Sequence, residues 1–382
     1  MDQARDRRDA SVPGRPMGAA TRTVRLPQPL PMRRGGVLHE VDVAYESWGP
    51  RRDDNVVLLF TGLSPDAHAA ASAADPTPGW WQEMVGVGRA FDTERLHVVC
   101  INSLGSCFGS TGPASLDPAT GAPYRLSFPT LSIEDIADAA HAALRALGYG
   151  RLRAVAGNSL GGMSALAYAL RHPGEVDALV SVSSAARALP FAIAIRSLQR
   201  EFIRNDPAWE GGRYPPHGGP IGGMRVARKL GMLSYRSAKE WEQRFGRARC
   251  KPLEDAPPAG FGHQFEVEAY LEAHAQRFVG GFDPNCYLYL SRAMDLFDAS
   301  EHGHDGSLPS AFVRLALREA LVVGVETDML FPVEQQVELA AALEAPGRRV
   351  EFARLNCLQG HDSFLIDVPA FDAALRPFLA RL

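Results

Sequence analysis

The stretch Leu152–Tyr168, LRAVAGNSLGGMSALAY, decides how the rest of the chain is read. Leu152 to Ala156 is a short apolar run. It ends in Gly157-Asn158-Ser159-Leu160-Gly161, with Gly162 following. Met163, Leu166 and Leu170 then recur at helical spacing. The pattern is strand, sharp turn, helix, with Ser159 at the apex. A G-x-S-x-G turn forces its serine into strained backbone geometry, and its neighbours must be nearly free of side chains so that strand and helix can approach. The strain exposes the hydroxyl. The N–H of Leu160 then sits at a helix N-terminus, where it can stabilise an oxyanion.

Working outward, the same rhythm repeats. Val56–Phe60 (VVLLF) is a continuous apolar run, the mark of a strand buried on both faces. It leads into Thr61-Gly62-Leu63-Ser64, a loop at the end of a central strand, where open α/β sheets keep their ligands. The N–H of Leu63 is therefore expected to be a second oxyanion donor opposite Leu160. Val37–Trp48 alternates apolar and polar residues, as an early antiparallel strand does. Leu96–Asn102, Val176–Val182, Ala320–Glu326 and Val350–Leu355 are further strands. Ser132 and Asp135 form a capping-box pattern before the helix through Ile133, Ile136, Ala140 and Leu144. Strands alternating with helices predict a mostly parallel sheet covered by helices on both faces. The alternation breaks at about Ser184 and resumes after about Pro309. The expected organisation is a tail over residues 1–27, an α/β core over 28–185 and 310–382, and a helical cap over 186–309.

Composition narrows the function. The chain has 382 residues and a formal net charge of −4, which gives no reason to expect a nucleic acid or an anionic membrane as partner. No apolar run approaches the roughly 18 residues of a spanning helix. The tail carries six arginines but no apolar core of a secretory signal. Asp2, Asp6 and Asp9 count against a transit peptide, so a disordered tail is expected. The five cysteines are odd in number and scattered, with no CxxC pair, which indicates neither a disulfide framework nor zinc and suggests a reducing cytoplasm. His302 and His304 form an HxH without a third ligand, so no metal is expected. His68, near the Leu63 loop, reads as a loop hydrogen-bonder.

Each of the last two strands is followed by one titratable residue. The first delivers Thr327-Asp328-Met329-Leu330, and the second leads to Gly360-His361-Asp362. With Ser159 the chain order is Ser, Asp, His, as α/β-hydrolases require. Ser159 would be the nucleophile, His361 the base and then acid, and Asp328 the group that fixes the imidazole. A triad does not say what attacks the acyl-enzyme: water makes a hydrolase, an alcohol or amine an acyltransferase. Arg228 could anchor a carboxylate, and Asp362 could hold an ammonium group or cap the following turn. Together they would suit an amino-acid acceptor.

Several segments together resemble the homoserine/serine O-acyltransferases of the α/β-hydrolase superfamily: GWWQEMVGVGRAFDTERLHVVCINSLGSCFGSTGPASLDPATGAPY, GNSLGGM, ARKLGMLSYRS, TDMLFP and GHD. The resemblance runs from about residue 30 to the C-terminus. It implies transfer of an acyl group from acyl-CoA, a co-substrate and not a resident cofactor, to the side-chain hydroxyl of an amino acid. It also implies Ser159, Asp328 and His361 as catalytic, Arg228 and Asp362 as acceptor-binding, and a homodimer formed through the cap. Where many members carry an HALTG-type loop, this chain has Phe60-Thr61-Gly62-Leu63-Ser64-Pro65-Asp66-Ala67-His68. That loop makes Ser64, Pro65, Asp66 and Ala67 candidates for specificity. It is similar to the serine O-succinyltransferase branch, which uses L-serine and succinyl-CoA and feeds cysteine synthesis. The homoserine O-acyltransferases, using acetyl- or succinyl-CoA, are the alternative, and a plain esterase is a more distant one. In some succinyl-using relatives an arginine matches Leu330. Its absence here leaves Arg187 or Arg196 to meet a succinyl carboxylate.

Overall fold

In a computed structural model the described residues are 18–215, 218–250 and 262–382. Eight strands form one sheet: β1 (Arg22–Arg25), β2 (Asp42–Trp48), β3 (Val56–Phe60), β4 (His97–Ile101), β5 (Leu152–Asn158), β6 (Val176–Val182), β7 (Glu319–Val325) and β8 (Arg349–Leu355). Their order is β1-β2-β4-β3-β5-β6-β7-β8. Strands β3 to β8 run parallel, while β2 lies antiparallel to both β1 and β4. The helices are α1 (Ile133–Ala146), α2 (Leu160–Arg171), α3 (Pro190–Asn205), α4 (Ile221–Tyr235), α5 (Ala238–Phe245), α6 (Glu266–Phe278), α7 (Pro284–Leu296), α8 (Leu308–Phe312), α9 (Val333–Leu343), α10 (Ser363–Ile366) and α11 (Val368–Leu379).

The continuous apolar strands are explained by layers on both sides. Leu58 and Phe60 of β3 face a cluster containing Ile136, Leu144, Met163 and Leu166 of α1 and α2. Val57 and Leu59 face the opposite cluster, with Phe371, Leu375 and Phe378 of α11. These α11 side chains are fully buried, each contributing about 2 kcal/mol of transfer free energy. The capping box is present: Ser132 Oγ accepts from Asp135 N, and Asp135 Oδ2 accepts from Ser132 N at 2.7 Å.

Two expectations change. The alternating run from Val37 is broken: Val37–Leu38 pairs with Leu30–Pro31, and only Asp42–Trp48 joins the main sheet. The disordered tail expected over residues 1–27 is not what residues 18–27 form, and residues 1–17 lie outside the described residues. Arg22–Arg25 is an edge strand on β2, held by the ladder and by Arg25 Nη2 on Asp42 Oδ2 at 2.8 Å, and Thr21 Oγ1 donates to Glu46 at 2.6 Å. Four of the tail's arginines (Arg5, Arg7, Arg8 and Arg15) lie outside the described residues. Between β6 and β7 the chain supplies helices α3 to α8 and no strand of the main sheet among the described residues. Among the described residues no helix is long and apolar enough to cross a membrane.

Candidate active site

Ser159 sits between β5 and α2 with φ 54° and ψ −122°, a conformation side-chain-bearing residues rarely adopt. The surrounding glycines make this turn possible. A Cβ on Gly157 would lie 2.2 Å from the Gly161 backbone, one on Gly161 2.5 Å from Phe60 O, and one on Gly162 2.4 Å from Ser184 Cβ. Strand β3, strand β5 and helix α2 thus meet at distances that only glycine allows. Ser159 N donates to Val182 O at 3.0 Å, and Ser184 Oγ donates to Ser159 O at 2.7 Å, so the turn is pinned to β6 as well.

The three titratable residues converge. Ser159 Oγ and His361 Nε2 are 2.9 Å apart, and His361 Nδ1 and Asp328 Oδ2 are 2.7 Å apart. The second Asp328 oxygen accepts from Leu330 N at 2.9 Å and Phe331 N at 3.0 Å, which fixes its orientation. The loops carrying Asp328 and His361 are tied together. Thr327 Oγ1 donates to Cys357 O at 2.7 Å and accepts from Gly360 N at 3.1 Å. The imidazole is buried among Phe331, Phe364 and Tyr235. Burial alone would lower its pKa, but the Asp328 carboxylate outweighs that and holds it above the ordinary value of 6.5.

The N–H groups of Leu63 and Leu160 make no hydrogen bond among the described residues. Leu63 lines the cavity beside Ser159, and Leu160 is the first residue of α2. The Leu63 loop is braced from behind. Asn102 Nδ2 donates to Pro65 O at 3.1 Å, and Asp66 Oδ1 accepts from His68 N at 2.9 Å. His68 is buried against Glu46 at 2.8 Å and Thr77 O at 2.7 Å. Ser64 and Pro65 line the cavity; Ala67 is buried and does not. His302 contacts Glu134 at 3.1 Å and His304 bonds Ser310, so both are engaged in the scaffold.

Two cavities open from the triad. The first is bounded by Asn158, Arg228, Tyr235, Asp362 and Trp80. Arg228 lies on α4 with its guanidinium carbon 4.4 Å from the Phe278 ring centre and 5.8 Å from that of Tyr235. Its Nε is buried and has no hydrogen-bond partner among the described residues, and the same holds for Asn158 Oδ1. Asp362 is already engaged: Arg236 Nε donates to it at 2.9 Å and Arg236 Nη1 to Glu240 at 2.6 Å. Arg236 is thus shared between two carboxylates, and Arg228 and Asp362 put one charge of each sign on this cavity. Arg236 escaped the sequence reading, although its i,i+4 spacing to Glu240 marks one of these contacts.

The second cavity is bounded by Leu330, Arg196, Gln199, Tyr287 and Met294. Leu63, Ser159, Tyr235 and His361 border both cavities. Arg196 is 5% exposed; its Nε donates to Asp295 at 2.6 Å, and Arg200 pairs with the same carboxylate at 2.7 Å. Two guanidinium groups against one carboxylate leave a surplus positive charge, and Arg196 Nη2 is buried without a hydrogen-bond partner among the described residues. Arg187 is elsewhere: it pairs with Glu338 at 2.6 Å and borders neither cavity. The sequence offered both arginines equally. Arg187 precedes α3, in a bridge to Asp298, whereas Arg196 lies on the helix itself.

The comparisons with known proteins fit this geometry. A family model described as alpha/beta hydrolase fold matches residues 55–372. A serine O-succinyltransferase of Xanthomonas campestris pv. campestris (strain B100) is 56% identical over 94% of this chain and 97% of its own length. One from Litchfieldella anticariensis is 57% identical over 95% and 99%. Among solved structures, a homoserine O-acetyltransferase from Bacillus anthracis superposes with a TM-score of 0.85 at 25% identity, covering 94% of this chain and 97% of that one. Esterase E22 superposes at 0.83 and 28% identity, covering 94% and 99%. The fold is thus shared by proteins named for acyl transfer and for ester hydrolysis. At this identity and coverage, the chain belongs to the serine O-succinyltransferases within the homoserine/serine O-acyltransferase family of α/β-hydrolase fold proteins.

Proposed function

We propose that the chain transfers the succinyl group of succinyl-CoA to the side-chain hydroxyl of L-serine, giving O-succinyl-L-serine and CoA. The carrying observation is the forked cavity. A surplus positive charge with an unpartnered guanidinium nitrogen lies on one branch, Arg228 and Asp362 lie on the other, and Ser159 stands at the junction.

In the first half-reaction, Ser159 Oγ attacks the thioester carbonyl and His361 Nε2 takes its proton. The oxyanion is held by the N–H groups of Leu63 and Leu160. Collapse breaks the C–S bond, and His361 returns the proton to the CoA sulfur. In the second, His361 takes the proton of the L-serine hydroxyl as that oxygen attacks the acyl-enzyme, then gives a proton back to Ser159 Oγ. Asp328 holds the imidazole in the required tautomer throughout. Arg228 binds the carboxylate of L-serine and Asp362 its ammonium group. Arg196, which lines the second cavity together with Leu330, meets the free carboxylate of the succinyl group. Charge-assisted hydrogen bonds of this kind are the strong ones.

The helices between β6 and β7 act as a cap that excludes water, which favours transfer over hydrolysis. Phe191, Leu198 and Phe202 of α3 and Ile221, Val226 and Leu233 of α4 expose large apolar side chains on this cap. A homodimer through that surface would bury them. The reaction belongs in the cytoplasm, where acyl-CoA is available.

The test is a matrix of acetyl-CoA or succinyl-CoA with L-serine or L-homoserine, following CoA release and identifying the product by mass. O-Succinyl-L-serine as the dominant product is expected. Acyl-homoserine would reassign the acceptor, and CoA release without an acylated amino acid would make the protein a hydrolase.

A further inference from the structure

Away from the forked cavity, two cysteines remote in sequence meet. Cys107 is in the loop after β4, and Cys286 is in the first turn of α7. The Cys107 sulfur accepts the Asp283 backbone N–H at 3.4 Å. Asp283 caps α7, and its Oδ1 accepts the N–H of Cys286 at 2.9 Å. Asp283 therefore lies between the two cysteines, its N–H on the Cys107 sulfur and its carboxylate on the Cys286 N–H, and this brings them side by side at the start of α7. Their surroundings hold them there: Tyr214 Oη donates to Asp283 Oδ2 at 2.8 Å and accepts from Asn285 N at 2.9 Å. Phe108, next to Cys107, packs edge-on to Phe282 at 5.6 Å.

The two sulfurs differ in access. Cys107 is half-buried, whereas Cys286 is buried. A helix N-terminus favours a thiolate, but at Cys286 burial, the neighbouring Cys107 and the Asp283 carboxylate hold the thiol in its protonated form. An oxidant therefore meets Cys107 first, with Cys286 placed behind it as a resolving thiol. We propose that Cys107 and Cys286 form an intramolecular disulfide in response to hydroperoxide, fastening the loop after β4 to α7. The Cys107 sulfur attacks a peroxide oxygen and the O–O bond breaks, leaving Cys107 sulfenic acid and one water. The Cys286 sulfur then attacks the Cys107 sulfur. The S–S bond forms, the S–O bond breaks, and the oxygen leaves with the Cys286 proton as a second water. Two thiols are oxidised and one peroxide is reduced. The link would join core to cap at the helix that carries Tyr287 on the second cavity and Asp295, the partner of Arg196.

The experiment uses the full-length native protein, reduced, desalted and treated with hydrogen peroxide. Remaining thiols are blocked under denaturing conditions and the digest is mapped without reduction. A Cys107–Cys286 linked peptide is expected, with the whole protein two hydrogens lighter and the change reversed by dithiothreitol. The linked form should unfold several degrees higher, because the bond closes a long loop. In Cys286→Ser, Cys107 should stop at the sulfenic acid and be trapped by dimedone. Blocked Cys286 in protein whose Cys107 is fully oxidised would overturn the proposal. So would Cys107 linked to Cys250 or to a second chain. If Cys286→Ser fails to fold, the wild-type peptide map decides alone.

Discussion

The sheet edge and the helices packed over it supply the candidate site in different ways. At the sheet edge the position of each residue is set by the strand it follows. Ser159, Asp328 and His361 each follow a strand, and parallel strands end at one edge. Over that edge, the helices between β6 and β7 offer charged side chains whose direction depends on how each helix is rotated. On α3, Arg196 lines a cavity, whereas Phe191, Leu198 and Phe202 face outward. The first region carries chemistry that the homoserine O-acetyltransferase and the esterase of similar fold could share. The second carries what would tell one acyl acceptor or donor from another. Altering the first should abolish turnover, and altering the second should redirect it.

The largest effect tests the first half of that contrast. Ser159→Ala should lower kcat by about 10⁴-fold or more with every substrate, and mass spectrometry should find no acyl-enzyme. A covalent intermediate in that variant would remove Ser159 from its role. Arg228→Ala should raise the KM for L-serine by about 10²-fold, the worth of a charge-assisted pair, while the KM for succinyl-CoA stays within about threefold. Equal effects on both would erase the division between the two cavities.

Arg196→Leu should be smaller and more selective. Asp295 keeps Arg200 as its partner, so the helix pair should remain folded. The ratio of kcat/KM for succinyl-CoA over acetyl-CoA should fall by about 30-fold or more, within the range for losing one charged hydrogen bond. Arg187→Ala, measured beside it, should leave that ratio unchanged. A drop for Arg187 instead would reverse the assignment. The pH profile gives the mildest test. The proposed mechanism needs neutral His361, so kcat/KM should rise with pH through a value above 6.5, because Asp328 raises the imidazole pKa. Asp328→Asn should move that limb to lower pH, since burial is then opposed only by the Asp362 charge, and a limb that stays put would point to another group.

The same contrast explains what could be read without coordinates. Gly157, Gly161 and Gly162 announce their contacts because only one residue type fits them. The order of Ser159, Asp328 and His361 follows from apolar runs that must be strands. The Ser132–Asp135 cap is local and equally legible. The Arg236–Asp362 pair joins residues far apart in the chain, and the pattern that places Arg228 on α4 says nothing about it. The edge strand Arg22–Arg25 was hidden because its burial is slight and its stability comes from pairing with β2. Its composition, rich in arginine, looks like a solvated tail.

The backbone at Ser159 has a consequence for how the protein balances endurance against reactivity. With φ 54° and ψ −122°, the serine occupies a region costing a side-chain-bearing residue about 1–3 kcal/mol. Glycine bears no such cost. Ser159→Gly should therefore be inert yet melt at a higher temperature than the wild type, and an unchanged or lower Tm would show that the turn holds no such tension. Selection for stability alone would discard the hydroxyl. On the proposed mechanism that hydroxyl is the one atom the reaction cannot do without, and a higher Tm for the glycine variant would show that the chain forgoes stability to keep it.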